Sequence, residues 1–166
     1  MRSTVYVAIP LMLLLAVLQT AVLPRFPVLG LTPLLPLLVV ISWTLLHGLE
    51  QGLVWGFTAG LAMDLFSIGP LGATALAYMT AVLAVAGLMR ALPENRFFIP
   101  VVVAALGSAV YLIVYLLFVR LLGFLPSAET AVTLAPIILL NAGFMLPIYW
   151  LIYTIDRWAF PRRVEF

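Results

Sequence analysis

Asp64 is the one acid set well inside an apolar run of this chain. A carboxylate at such a place is unfavourable unless protein surrounds it, and an acid within a membrane span is by default a candidate functional site. Proton transfer would need a second titratable group within reach. The only histidine, His47, lies seventeen residues earlier, roughly 25 Å away along a helix. Those two belong near opposite ends of one span and form no His–Asp dyad. No other acid is close enough in sequence to pair with Asp64. There is no G-x-S-x-G, no H-E-x-x-H and no phosphate loop. All eight basic residues are arginine, which removes Schiff-base and Walker lysines. Without cysteine there is no disulfide, thiolate nucleophile or iron–sulfur ligation, and one histidine falls short of the usual zinc sets. The expectation is a protein with no catalytic residues, no metal and no cofactor.

Asp64 closes a series. Gly52, Gly56, Gly60 and Asp64 recur every four residues, so on a helix they share one face. That face is a bare groove ending in a carboxylate. Glycine lets membrane helices approach closely, where dispersion replaces the missing hydrophobic drive. The row can pack within the subunit, against the Ala73, Ala77 and Ala81 face of the next span, or it can seat a foreign helix. Asp64 favours the first use, since its face must not meet lipid. Ser67-Ile-Gly69-Pro70-Leu-Gly72 follows and reads as a turn. Three roles stay open for Asp64: pinning that turn through Ser67 and the amides around Gly69, pairing with Arg120, or serving as a proton or substrate site. Asn141, mid-span, is expected to bond a neighbouring helix, with Ser108, Tyr111 and Tyr115 as candidate partners.

The elements that carry these residues follow from composition. Hydrophobic residues make up 66% of the 166 residues and charged residues only 8%, against about 25% charged in a soluble domain. The mean hydropathy is +1.26. Most of such a chain has no water to face, so it is an all-α polytopic membrane protein. Roughly 20 apolar residues cross a bilayer, and six runs qualify or nearly qualify: 4–23, 33–47, 51–66, 73–89, 97–122 and 133–155. They leave short loops and one domain, 1–166. The first run is too long for a signal-peptide core and reads as a retained anchor. The second and third are short, so they extend into loops or thin the bilayer.

Six spans put both termini on one side. That side holds Arg2, Arg90, Arg96, Arg157, Arg162 and Arg163; the other holds Arg25 and Arg120. Arginine-rich flanks stay cytoplasmic, so both termini are expected there. Glu94, between Arg90 and Arg96, belongs to the same flank. Trp158, Tyr149 and Tyr153 fit an interfacial anchor, and Trp43 and Trp55 are expected to do the same. No basic run points to nucleic acid; membrane lipid is the surrounding partner.

Gly60-Leu-Ala-Met-Asp64-Leu65, then Ser67 through Gly72 and an alanine-rich span, resembles the signature of the MreD rod-shape-determining membrane proteins. The match is detailed over about 35 central residues and extends to the whole chain in layout. The resemblance implies a six-helix fold similar to the substrate-binding S-components of energy-coupling-factor transporters. It implies a non-enzymatic place in the bacterial inner membrane beside the bitopic MreC, working with MreB, RodA and its penicillin-binding transpeptidase in lateral wall synthesis. The same fold similarity supplies a rival: an S-component-like subunit for a vitamin or other small molecule. Such a subunit docks on its partner through small residues of span one. Ala8, Met12 and Ala16 stand at that spacing here, and the methionine breaks the ridge.

Overall fold

The computed structural model describes residues 2–28, 30–91, 98–123 and 134–159, the side chains of 2–5, 7 and 159 excepted. Six helices run through the described residues, and no strand occurs among them beyond an isolated bridge between Val28 and Leu31. They are α1 (Arg2–Val17), α2 (Leu35–His47), α3 (Leu49–Leu65), α4 (Ala73–Ala91), α5 (Ile99–Leu121) and α6 (Pro136–Ala159). Arg96, Arg162, Arg163 and Glu94, and the side chain of Arg2, lie outside the described residues, as do positions 97 and 133.

Among the described residues, four stretches are long and apolar enough to cross a membrane: Ala8–Arg25, α4, α5 and Pro136–Trp158 of α6. The first is one continuous rod of three kinds of turn. After α1 the chain widens into a π turn over Leu18–Val22 and tightens into a 3-10 turn over Leu23–Arg25. Such irregular turns interrupt the regular advance of a helix face and re-aim side chains. Gln19 sits in the π turn and is 6% exposed, turned into the bundle.

The short second helix has a physical explanation. At 13 residues α2 is roughly 20 Å long, less than the hydrocarbon core of about 30 Å. Nine consecutive residues, Pro36 through Thr44, are buried. A helix apolar all round belongs inside a bundle. α2 touches each of the other five helices and serves as their central post. Its Leu37, Leu38 and Ile41 meet Trp55 of α3, Tyr78, Val82 and Val85 of α4, Val103 of α5 and Met145 of α6 in one core. α3 packs on α1, α2 and α4; α4 on α5; α5 on α6; and α6 returns to α2.

Two tight links set this arrangement. A single residue, Gly48, joins α2 to α3 at φ +84°, where an L side chain is strained. Val28 and Leu31 exchange two backbone hydrogen bonds, 2.8 and 3.0 Å, across a tight turn before α2.

Candidate functional site

Among the described residues, polar side chains inside this apolar bundle form three clusters that join helices: one links the consecutive helices α3 and α4, and two link helices distant in sequence. The first is built on Asp64, in the last turn of α3 and 4% exposed. Its carboxylate accepts three backbone hydrogen bonds from the start of α4. Oδ2 takes Gly72 N–H at 2.9 Å and Ala75 N–H at 3.3 Å, and Oδ1 takes Thr74 N–H at 3.1 Å. The fourth amide, Ala73 N–H, donates to Pro70 O at 3.2 Å. A helix leaves its first amides without intrahelical partners and carries partial positive charge there. A carboxylate answers both needs, and here it comes from the preceding helix. Gly72 makes the entry at φ +92° and its carbonyl accepts Leu76 N–H.

Gly60 makes this cap possible. A Cβ built at Gly60 would overlap Ala75 Cα and lie 2.6 Å from Ala75 N and 2.8 Å from Thr74 C. These are backbone atoms of the very turn that Asp64 caps. The bare glycine lets α4 approach, and the acid one turn later receives its amides. Gly52 and Gly56 serve the same face against other neighbours. A Cβ at Gly52 would overlap the Thr44 side chain of α2; one at Gly56 would sit 3.3 Å from Val82 Cγ2 and 3.6 Å from Val40 Cγ1. The row Gly52–Gly56–Gly60 is thus filled from within the chain by α2 and α4, which leaves no groove there for a foreign helix.

The partners of Asp64 differ from those the turn sequence suggested. Ser67 Oγ accepts Gly69 N–H at 3.0 Å and stiffens the turn tip, and Ser67 N–H donates to the backbone carbonyl of Asp64 at 3.3 Å, not to its carboxylate. Arg120 is exposed in the last turn of α5, and no ion pair joins it to Asp64 among the described residues. The α4 amides already satisfy the carboxylate, which removes the need for a counter-ion.

The second cluster holds the start of α2. Asn141 of α6, fully buried, accepts Leu34 N–H on Oδ1 at 2.9 Å and donates from Nδ2 to Ser108 Oγ of α5 at 2.9 Å. Gln19 Oε1 accepts Leu35 N–H at 3.0 Å. A helix that begins inside a bundle must find partners for its first amides. Side chains from the π turn after α1 and from α6 supply two of them. Tyr111 and Tyr115 do not join Asn141: Tyr111 packs against Tyr78 with ring centroids 5.2 Å apart and against Tyr115 at 5.7 Å.

The third cluster lies at the opposite end, where α2 and α6 finish. His47 Nε2 stands 3.1 Å from Asp156 Oδ1. That oxygen takes no hydrogen bond, so the two side chains meet without one. Trp43 stacks between His47, at 4.2 Å, and Trp55, at 4.0 Å, and donates Nε1–H to Gln51 Oε1 at 3.1 Å. Trp43 and Trp55 are therefore core residues, correcting the interfacial role expected of them: the one-residue link at Gly48 folds α3 back so that their rings face each other. Nothing in the sequence signalled Gln19 or the His47–Asp156 contact; both depend on how helices far apart in the chain are rotated.

Each cluster joins helix to helix through backbone amides, amides of side chains or a single histidine–carboxylate contact. No group of three or more metal-ligating side chains occurs among the described residues. What the arrangement does is hold a short post and a tight hairpin at fixed depths in an apolar bundle. A family model described as rod shape-determining protein MreD matches residues 1–157. The chain belongs to the MreD family. Membership carries a role in rod shape determination, and with the apolar helices it makes this a multi-pass membrane protein. Comparison with curated proteins and with solved structures found no match.

Proposed function

We infer that this MreD-family protein is a non-catalytic membrane scaffold of the cell-wall elongation machinery. It holds the single transmembrane helix of an MreC-like protein and so helps position RodA, its transpeptidase and, through them or directly, MreB. The family match over residues 1–157 carries this reading. The buried polar groups support it, because Asp64 and Asn141 are each spent on neighbouring helices. On this reading all six helices cross the inner membrane as one domain, with α2 enclosed by the rest and both termini cytoplasmic. The partner helix uses a face other than the glycine row, which α2 and α4 fill.

The S-component-like alternative has less support. Ala8, Met12 and Ala16, the row that would dock on a transporter core, are fully buried in this chain's own core. Purification from the native membrane separates the two readings. An MreC-like single-span protein should accompany the chain. Recovery of an ATPase-linked transporter core in its place would overturn the proposal.

A further inference from the structure

The helix α6 has two unlike faces. Asn141, Met145 and Ile152 point into the core, and Asp156 on the same side reaches His47. The opposite side carries Gly143, Pro147, Trp150, Tyr153 and Arg157, spaced four, three, three and four residues apart, which keeps them on one side of a helix. Gly143 and Pro147 line an apolar groove of about 710 Å³ between α6 and the Val28–Leu31 turn. A Cβ at Gly143 would meet nothing within 4 Å, and φ there is not positive, so neither packing within the chain nor backbone conformation asks for glycine. Further along the same side Trp150 is 54% exposed. Its ring meets Tyr153 edge-on at 6.1 Å, and the Arg157 guanidinium lies over the Tyr153 ring at 5.8 Å. Asp156, the adjacent acid, is turned away to His47, and no ion pair holds Arg157 among the described residues.

We propose that this side of α6 binds one anionic phospholipid lengthwise, its phosphate on Arg157 and an acyl chain in the groove at Pro147 and Gly143. Charge complementarity selects the head. A guanidinium can pair with the phosphodiester of any phospholipid, but an anionic head lacks the quaternary ammonium that offsets the phosphate charge in phosphatidylcholine, and indole and phenol rings settle at headgroup depth. Length fits as well. Arg157 to Gly143 spans fourteen residues, or roughly 21 Å of helix. Half of a bilayer with its headgroups is about 20–22 Å. The near end of the groove, at Pro147, Phe144 and Gly143, therefore lies within reach of a lipid held at Arg157, and its far end, at Leu140, Leu139 and Pro136, lies deeper than that lipid's chain extends. The site is independent of the partner-helix reading above.

The test uses the full chain purified in neutral detergent, with native mass spectrometry counting bound lipid after addition of phosphatidylglycerol or phosphatidylcholine. The wild type should retain phosphatidylglycerol about fivefold better, as expected of one basic residue at an anionic lipid head. Arg157→Gln should abolish that preference and Arg157→Lys should weaken it, since lysine keeps the charge without the paired donors. Arg90→Gln, also a basic residue at that end of the bundle, should leave it intact. Gly143→Leu should reduce retention of both lipids while leaving the melting temperature of the lipid-free protein unchanged. Equal retention of the two lipids by the wild type overturns the proposal. So does a preference that survives Arg157→Gln, or one lost equally in Arg90→Gln, which would mark a general surface charge. Free glycerol phosphate should not compete; competition would mean a soluble phosphate site and would overturn the lipid assignment.

Discussion

Replacing Asp64 by alanine tests the central structural claim, that an acid on one helix caps the next. The change leaves the amides of Gly72, Thr74 and Ala75 without their acceptor. Those of Thr74 and Ala75 are buried, and that of Gly72 is partly so. A buried donor left unpaired costs about 1–3 kcal/mol, and loss of an N-terminal cap alone costs about 0.5–2 kcal/mol. The three losses overlap, because the freed turn can shift toward water at the bundle end. The expected destabilisation is about 3–5 kcal/mol. Asp64→Asn keeps one acceptor oxygen but turns an NH2 toward the other amides, so it should lose about 2–4 kcal/mol. Arg120→Gln, by contrast, should change stability by less than about 0.5 kcal/mol, as exposed surface substitutions do. Reversible unfolding in mixed detergent micelles, followed by circular dichroism, measures all three. An Asp64→Ala protein within 1 kcal/mol of the wild type, as an order-of-magnitude threshold, would refute the cap. Equal losses from Asp64→Ala and Arg120→Gln would restore the ion pair in its place.

The glycine row should respond in a graded way, read by the same unfolding assay. Gly60→Ala forces backbone apart at Ala75 and should lose more than about 3 kcal/mol, Gly52→Ala meets only the Thr44 side chain and should lose about 1–2 kcal/mol, and Gly56→Ala should stay under about 1 kcal/mol. Larger side chains, Gly56→Leu and Gly60→Leu, should both block folding or assembly, seen as loss of the purified complex. Asn141→Leu strands Leu34 N–H in the core and should lose about 2–4 kcal/mol, whereas Ser108→Ala removes only one acceptor and should lose about 1 kcal/mol. A double-mutant cycle on His47→Gln and Asp156→Asn should give a coupling of about 0.5–1.5 kcal/mol, reduced from a fully buried pair because both side chains are partly exposed. A coupling near zero would show that stacking on Trp43 alone holds His47.

The glycines at every fourth place, the acid that ends them and the turn that follows were legible as a unit, because a helix repeats every 3.6 residues and the unit lies within one hairpin. Even so, the amides that Asp64 receives came from Gly72, Thr74 and Ala75 and not from the turn tip around Gly69. Where a short loop delivers its amides depends on how closely the two helices approach, and Gly60 sets that distance only once α4 is against it. Asn141 was legible as a polar residue needing a partner, and Ser108 as a candidate. Its second partner, Leu34 N–H, is a backbone group 107 residues away, and backbone amides leave no mark in composition. Trp43 and Trp55 were misplaced at the interface because tryptophan favours both the interface and the core, and only helix rotation chooses between them.

By itself the sequence determined that this chain lives in a membrane, that it is helical, and that Gly52, Gly56 and Gly60 share one close-packing face. Those properties follow from transfer free energies and from the period of one helix, which are local. The tertiary structure decided which helix stands in the middle, which face of α6 is left outside, and that His47 meets Asp156 109 residues on. Those depend on the rotation and depth of whole helices relative to one another. In an apolar chain nearly every face is hydrophobic enough to be buried, so a few buried hydrogen bonds, set by three-dimensional proximity, choose the arrangement.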